Sequence, residues 1–389
     1  MVPLRYTVRS LWVRRTTTLA TALGIGMVVF VLAAALMLSS GVKKTMGAAG
    51  SEDVGIVLRK GSDNELSSAL EDPQISLIKA APGVAKDPAG NGIAAGEIVT
   101  VTTADKIGAA GGSNVSLRGI GPGSMAFRPK FKITRGREAK PGTDEAVVGR
   151  GIAGRFKNIE LGSHFEIKKN RAVHIVGVFE DDGSVYESEV WADFDTLRSA
   201  FGRQGGISSV RVKLESKSKY DAFKASIESD KRLGLMAQRE NEFFEKQSEG
   251  TSIFISALGI LVSVFFSIGA MIGAMNTMYA AVSNRKREIG VLRALGFSRI
   301  AILTAFVIES TALSFVGGLL GVALALALGG TQISMLNFSS FSELVFQFDA
   351  TPSTLITALV FSLVMGVLGG FLPALRAART PAVVAMRGA

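Results

Sequence analysis

The chain has 389 residues, 48% of them hydrophobic and only 20% charged, a balance too apolar for an ordinary soluble enzyme. It contains no cysteine, which excludes thiolate zinc sites, iron–sulfur ligation and disulfide staples. The formal net charge of +10 is unevenly spread: residues 43–249 hold 31 Lys/Arg against 29 Asp/Glu, and all other positions 12 against 4. The excess therefore sits on apolar runs and their flanks, which argues against a nucleic-acid partner.

Four runs carry almost no charge. Thr16–Val42, Thr251–Asn284 and Ala350–Leu375 have none, and Ile300–Ser342 has only Glu309. Each exceeds the ~20 residues a helix needs to cross about 30 Å of hydrocarbon. The expected fold class is a membrane protein with four transmembrane helices and a large α/β domain between the first and second spans.

In chain order, residues 1–15 come first. Leu4, Val8, Leu11 and Trp12 share one stripe with Arg5 and Arg9 off it, which predicts an amphipathic helix at the membrane interface. Residues 16–42 are the first span. The run is too long for a signal-peptide core and no A-x-A-like site closes it cleanly, so an uncleaved anchor is expected.

Residues 43–249 read as the α/β domain. "SLIKAAPGV" (76–84) predicts a helix end and turn, and Thr100–Thr103 and "VSLRGI" (115–120) predict strands. "DEAVVGRGIAGRF" (144–156) predicts a strand leading into a short helix. "HFEIKK" and "AVHIVGVFE" alternate like paired strands, and "DFDTLRSAF" (193–201) is a helix capped by Asp193 or Asp195. "SSVRVKL" (208–214) predicts a strand and "SKYDAFKASIES" (218–229) an amphipathic helix.

Residues 250–283 form the second span, longer than a crossing requires and expected to project as a stalk. Residues 284–298 form a short charged helix. Ser283 or Asn284 is placed as its N-cap, Ile289, Leu292 and Leu295 make an apolar stripe, and Gly296 stands where a C-terminal stop belongs. The third span (299–330) contains Glu309, about 15 Å along the helix from Arg299. An intramembrane carboxylate invites a functional reading. Its structural alternative faces the bundle, towards Asn276 or Thr277. A loop (331–351), the fourth span (352–375) and a tail (376–389) complete the chain. Gly269/Gly273, Gly317/Gly321 and Gly366/Gly370 have the spacing that lets helix backbones approach closely.

Basic residues set the orientation. Arg5, Arg9, Arg14 and Arg15 precede the first span, Arg285 to Arg299 separate the second and third, and Arg376, Arg379 and Arg387 follow the fourth. The 331–351 segment has Glu343 and Asp349 but no Lys or Arg. Positive charge favours the cytoplasmic side, so both termini and the charged helix are expected inside and the large domain outside. Catalytic patterns are missing: there is no G-x-S-x-G, H-E-x-x-H, EF-hand or P-loop motif. His164 and His174, the only histidines, fall in predicted strands and are read as structural. No catalytic or metal-binding residue is expected.

"NRKREIGVLRALGFSR" (284–299), followed by "ES…GGLLG", resembles the coupling-helix region of the MacB/FtsX/LolC-type ABC transporter permeases. "GGFLPALRAARTPAVVAMR" resembles their closing signature, and residues 144–201 are similar to the periplasmic core domain of the MacB branch. Residues 51–115 depart from the pattern. The resemblance implies a non-catalytic permease subunit, working as a homodimer or with a paralogue, whose coupling helix docks on an ABC ATPase present in two copies. By this carry-over Arg287, Glu288, Ile289, Leu292, Arg293, Leu295 and Gly296 make the coupling site. ATP and Mg are bound by the ATPase, and the chain itself takes no cofactor. Because the chain starts at the membrane helix, the ATPase is expected on a separate polypeptide. The implied work is mechanotransmission from the inner membrane, which exports or extracts a lipid, lipoprotein, peptide or amphiphilic drug. A periplasmic adaptor and an outer-membrane channel are further partners it suggests, alongside membrane lipid. Lipoprotein release, or FtsX-like regulation of a cell-wall hydrolase, are alternatives within the same family.

Overall fold

A computed structural model describes residues 15–108, 111–203, 205–230, 233–338 and 340–381. The N-terminal stripe from Leu4 to Trp12 and the last eight residues of the tail lie outside them. The chain divides into two units: residues 1–40, 253–331 and 348–389 form one, and residues 41–252 with 332–347 the other.

Helix α1 (Arg15–Gly47) opens the described chain. The inserted domain then runs β1 (Val54–Arg59), β2 (Leu70–Glu71), α2 (Asp72–Lys79), β3 (Ala94–Asp105), β4 (Gly112–Ile120), β5 (Lys132–Gly136) and β6 (Glu145–Gly149). It continues with β7 (His164–Lys168), β8 (Arg171–Glu180), β9 (Glu189–Asp193), α3 (Phe194–Phe201), β10 (Gly206–Ile207), β11 (Ser209–Lys213), α4 (Tyr220–Ser229) and β12 (Leu235–Arg239). One large sheet orders them β12-β1-β11-β3-β4-β9-β6-β8-β5, with β7 paired to β8. β4/β9 and β6/β8 are parallel and the other pairs antiparallel. Val57, Val212, Phe223 and Leu235 anchor one apolar cluster, and Leu117, Val148, Phe156, Ile175 and Val190 another.

Asp193 caps α3 by accepting from the backbone N–H of Asp195 and Thr196, so it is the cap and Asp195 is not. The short helix expected after β6 is replaced by turns. Gly149 and Gly151 carry the backbone against Glu187 so closely that a side chain at Gly149 would collide with it, and Gly154 turns away at φ +73. His164 and His174 are cross-strand partners with rings stacked 4.7 Å apart.

Four helices among the described residues are long and apolar enough to cross a membrane, with the α/β domain between the first and second, as expected. The second, α5 (Glu240–Asn284), has 45 residues and starts ten residues earlier than 250. It is followed by α6 (Lys286–Ala294), α7 (Arg299–Leu326) and α8 (Pro352–Arg379). Ser298 caps α7 and Thr351, ahead of Pro352, caps α8.

The glycine pairs divide in two. A Cβ at Gly317 would stand 2.6 Å from the Ala22 carbonyl oxygen, and one at Gly321 would strike that of Gly26, so α7 packs backbone to backbone on α1. Gly366 and Gly370 instead make room for the side chains of Ser314 and Ser310 of α7. Gly269 and Gly273 make no such approach within the chain: nothing lies within 4 Å of a Cβ at either. They line an open groove of about 580 Å³ with Thr21, Gly24, Val28 and Phe266.

The segment between α7 and α8 is a hairpin, not a plain loop. β13 (Gln332–Leu336) and β14 (Glu343–Gln347) pair antiparallel and belong to the inserted domain. Val345 enters that domain's core and its N–H donates to Ser188 Oγ at 2.9 Å. Glu343 pairs with Lys106 at 2.7 Å, and Asn114 donates to the Phe341 carbonyl at 2.8 Å. Alternation in "ELVFQ" is too short to separate a strand from a loop until its docking surface is known.

Candidate functional site

The charged helix α6 is shorter than the stretch 284–298. Neither Ser283 nor Asn284 caps it. Arg285 is the N-cap residue, makes no side-chain cap bond and breaks from α5 at φ −110, ψ 15. At the other end Leu295 is the C-cap and Gly296 takes φ +92, a backbone that only glycine adopts at little cost. Arg293 turns back and donates to the Phe297 carbonyl at 3.2 Å.

The apolar stripe points two ways. Ile289 is 2% exposed and packs among Met278, Val282, Ile302, Phe306, Ala374 and Ala377. It anchors α6 to its own bundle and is not offered to a partner, which corrects its place in the coupling set. Leu292 is half-buried. Leu295 is 72% and Val291 47% exposed, beside exposed Arg287 and Glu288. Three-residue spacing turns a helix by about 300°, so the stripe drifts round the cylinder from the inner face to the outer one.

Glu309, 8% exposed, meets Arg285, a partner the sequence reading did not name. Its carboxylate takes bonds of 3.0 and 3.3 Å from Arg285. Asn276 is exposed, and Thr277 bonds Thr21 at 3.2 Å. The pair ties the start of α6 to the third span. The Arg285 side chain reaches inward to a carboxylate in the helix bundle, the reverse of a snorkelling arginine, and the opposite charge there offsets the cost of burying both.

Sequence reasoning missed a second charged constellation, inside the inserted domain. Arg118 on β4 donates to Glu189 (2.7 and 2.8 Å), Glu65 (3.0 and 3.1 Å) and Glu97 (2.8 Å). Arg211 on β11 donates to Glu97 (2.6 Å), Glu65 (3.0 Å) and Glu240 (2.8 Å). Arg128 reaches Glu97 at 3.3 Å and sits 4.1 Å over the Tyr186 ring. All of these side chains are buried. Burial by itself would push the Glu65 and Glu97 carboxyls up, but the surrounding guanidinium charges outweigh it and hold both below the usual range. Burial pushes the Tyr186 hydroxyl well up. The signal was alternation: Arg211 sits between Val210 and Val212 and reads as solvent-facing, yet this part of the sheet is covered on both faces. Among the described residues no three His, Asp or Glu are grouped to hold a metal.

Residues 16–230 match the family model of the MacB-like periplasmic core domain, the stretch 51–115 included, and residues 260–382 match the FtsX-like permease C-terminal model. The chain belongs to the MacB/FtsX-like family of ABC transporter permeases. It is 28% identical over 287 residues to the macrolide export ATP-binding/permease protein MacB 2 of Aeromonas hydrophila, covering 69% of this chain and 42% of that protein. It is 27% identical over 293 residues to the ABC transporter permease YknZ of Bacillus subtilis, covering 71% of this chain and 70% of that one. The chain thus spans about two fifths of the MacB relative's length. The extracellular domain of YknZ from Gram-positive bacteria aligns with TM-score 0.36 and 18% identity over 48% of this chain and all of that one.

Proposed function

We propose that the chain is a mechanotransmitting permease: α6 docks on an ABC ATPase at the cytoplasmic face, and closure of two ATPases moves the spans and the inserted domain of a permease dimer. The observation that carries this reading is the division of α6 into a buried anchor, Ile289, and an exposed strip of Arg287, Glu288, Val291 and Leu295. A helix anchored on one side, with two large apolar side chains exposed beside charges on the other, has a reason to meet a partner. ATP and Mg belong to the ATPase in this reading, and the permease contributes no catalytic group.

The cargo class we favour is an amphiphile already in or near the outer leaflet: a lipid, lipoprotein, peptide or macrolide-like drug. The apolar groove lined by Gly24, Gly269, Gly273 and Phe266 lies, on the topology set by the flanking arginines, in the cytoplasmic half of the bilayer, where it suits a lipid acyl chain or an apposed helix and not that cargo. An adaptor and outer-membrane channel fit the MacB-like domain as further partners.

Leu295→Asp and Val291→Asp test the reading. Each places a charge in the apolar strip, where burial against a partner costs several kcal/mol. The full chain should still insert and fold, but ATPase co-purification and coupled turnover in nanodiscs should be lost. Unchanged binding and turnover in both variants would refute the docking surface.

A further inference from the structure

The ionic cluster in the inserted domain holds one carboxylate more than it has arginines. Glu65, Glu97, Glu189 and Glu240 stand within ion-pair distance of Arg118, Arg128 and Arg211. Glu65, Glu97 and Glu189 each bond through both oxygens. Glu240 differs. Its Oε1 accepts from Arg211 at 2.8 Å and from the Tyr186 hydroxyl at 3.3 Å, while its Oε2 is buried with no hydrogen-bond partner. Its neighbour Asn241 also has a buried, unpartnered side-chain oxygen, Oδ1. A half-satisfied member is the weak point of a buried polar network.

Glu240 is also the first residue of α5. The other three carboxylates come from the sheet and its loops. If Glu240 withdraws, Arg211 keeps Glu65 and Glu97, Arg128 keeps Glu97 and its place over Tyr186, and Arg118 keeps all three of its partners. What remains is charge-balanced, three against three. The withdrawn carboxylate stays at a helix N-terminus, where unpaired N–H groups and the helix dipole favour an anion in water.

We propose that Glu240 is a releasable latch, which seats the head of α5 in the sheet's ionic cluster and lets it go without dismantling that cluster. Gly50 lines the seat: a Cβ there would stand 2.5 Å from the Asn241 Cα, so the backbone of the segment after α1 closes directly on the latch residue's neighbour. Because α5 is also the second span, the latch gives the proposed transmission a place to disengage. Only this last statement rests on the transport reading.

The test uses the full chain in nanodiscs and its lack of native cysteine. With Trp12→Phe, Trp191 alone reports unfolding of the domain. Glu97→Ala breaks a buried pair and should lower Tm by roughly 10 °C. Glu240→Ala should lower it by a small fraction of that. In an Asn241→Cys background, Glu240→Ala should raise the alkylation rate of the new thiol several-fold. A Tm loss in Glu240→Ala equal to that in Glu97→Ala, or an unchanged alkylation rate, would overturn the latch. During ATP turnover with the partner ATPase, alkylation of Asn241→Cys should rise in the chain that keeps Glu240. If it does not, while Glu240→Ala still raises it at rest, the latch stands and the transport reading fails.

Discussion

Arg285 and Glu309 show what a charge inside a helix bundle requires. Their side chains are 11% and 10% exposed, and each would be costly without the other. Glu309→Gln should therefore destabilise the membrane unit, by about 1–3 kcal/mol for a charge-assisted bond. Adding Arg285→Gln should recover part of that loss, with a coupling energy of about 0.5–3 kcal/mol in a double-mutant cycle read by unfolding in detergent. Strict additivity of the two changes would mean that the pair contributes nothing.

Glu65 and Glu97 give the same scale a pH dependence. Their folded carboxyls titrate below the ordinary value of 4.5, so the stability they add is present above that value and is lost as pH falls through the lowered ones. The domain's Tm should be flat in their contribution from about pH 7 to about pH 5 and drop below 4.5, and Glu65→Gln should blunt the drop. A Tm profile below 4.5 that is the same with and without Glu65 would contradict this assignment.

Among the elements, the β13–β14 hairpin changes what counts as a domain. Residues 43–249 were the expected unit, but Val345 fills that unit's core and Ser188 and Lys106 bond to the hairpin. A fragment ending at 249 should fold with part of its core open. Burying one such valine contributes about 1.5–3 kcal/mol, and a domain of this size shifts about 2–4 °C per kcal/mol. Appending residues 332–347 through a flexible linker should raise the fragment's Tm by several degrees in a thermal melt. Equal melting of the two fragments would show the hairpin to be an ornament of the domain.

For the whole molecule, the positive flanks give a topology that labelling can check. A cysteine at Ser218 should react with an impermeant reagent from outside sealed cells, and one at exposed Ser283 only after permeabilisation. Reaction of Ser283→Cys from outside would invert the orientation and remove the ATPase from α6.

The four spans, the inserted α/β domain and a cap at Asp193 or Asp195 were legible in the sequence, because hydrophobic length, alternation and capping are local properties of a chain; the structure chose Asp193. The destinations of side chains were not. Glu309 finding Arg285, Ile289 turning inward while Leu295 turns out, and Gly269/Gly273 opening a groove where Gly317/Gly321 close on α1 each depend on which element lies opposite. The buried arginines were hidden for the same reason: alternation distinguishes two faces of a strand but not whether both are covered. Tertiary packing decides that, since a charge can be buried only where partners far apart in sequence converge to satisfy it.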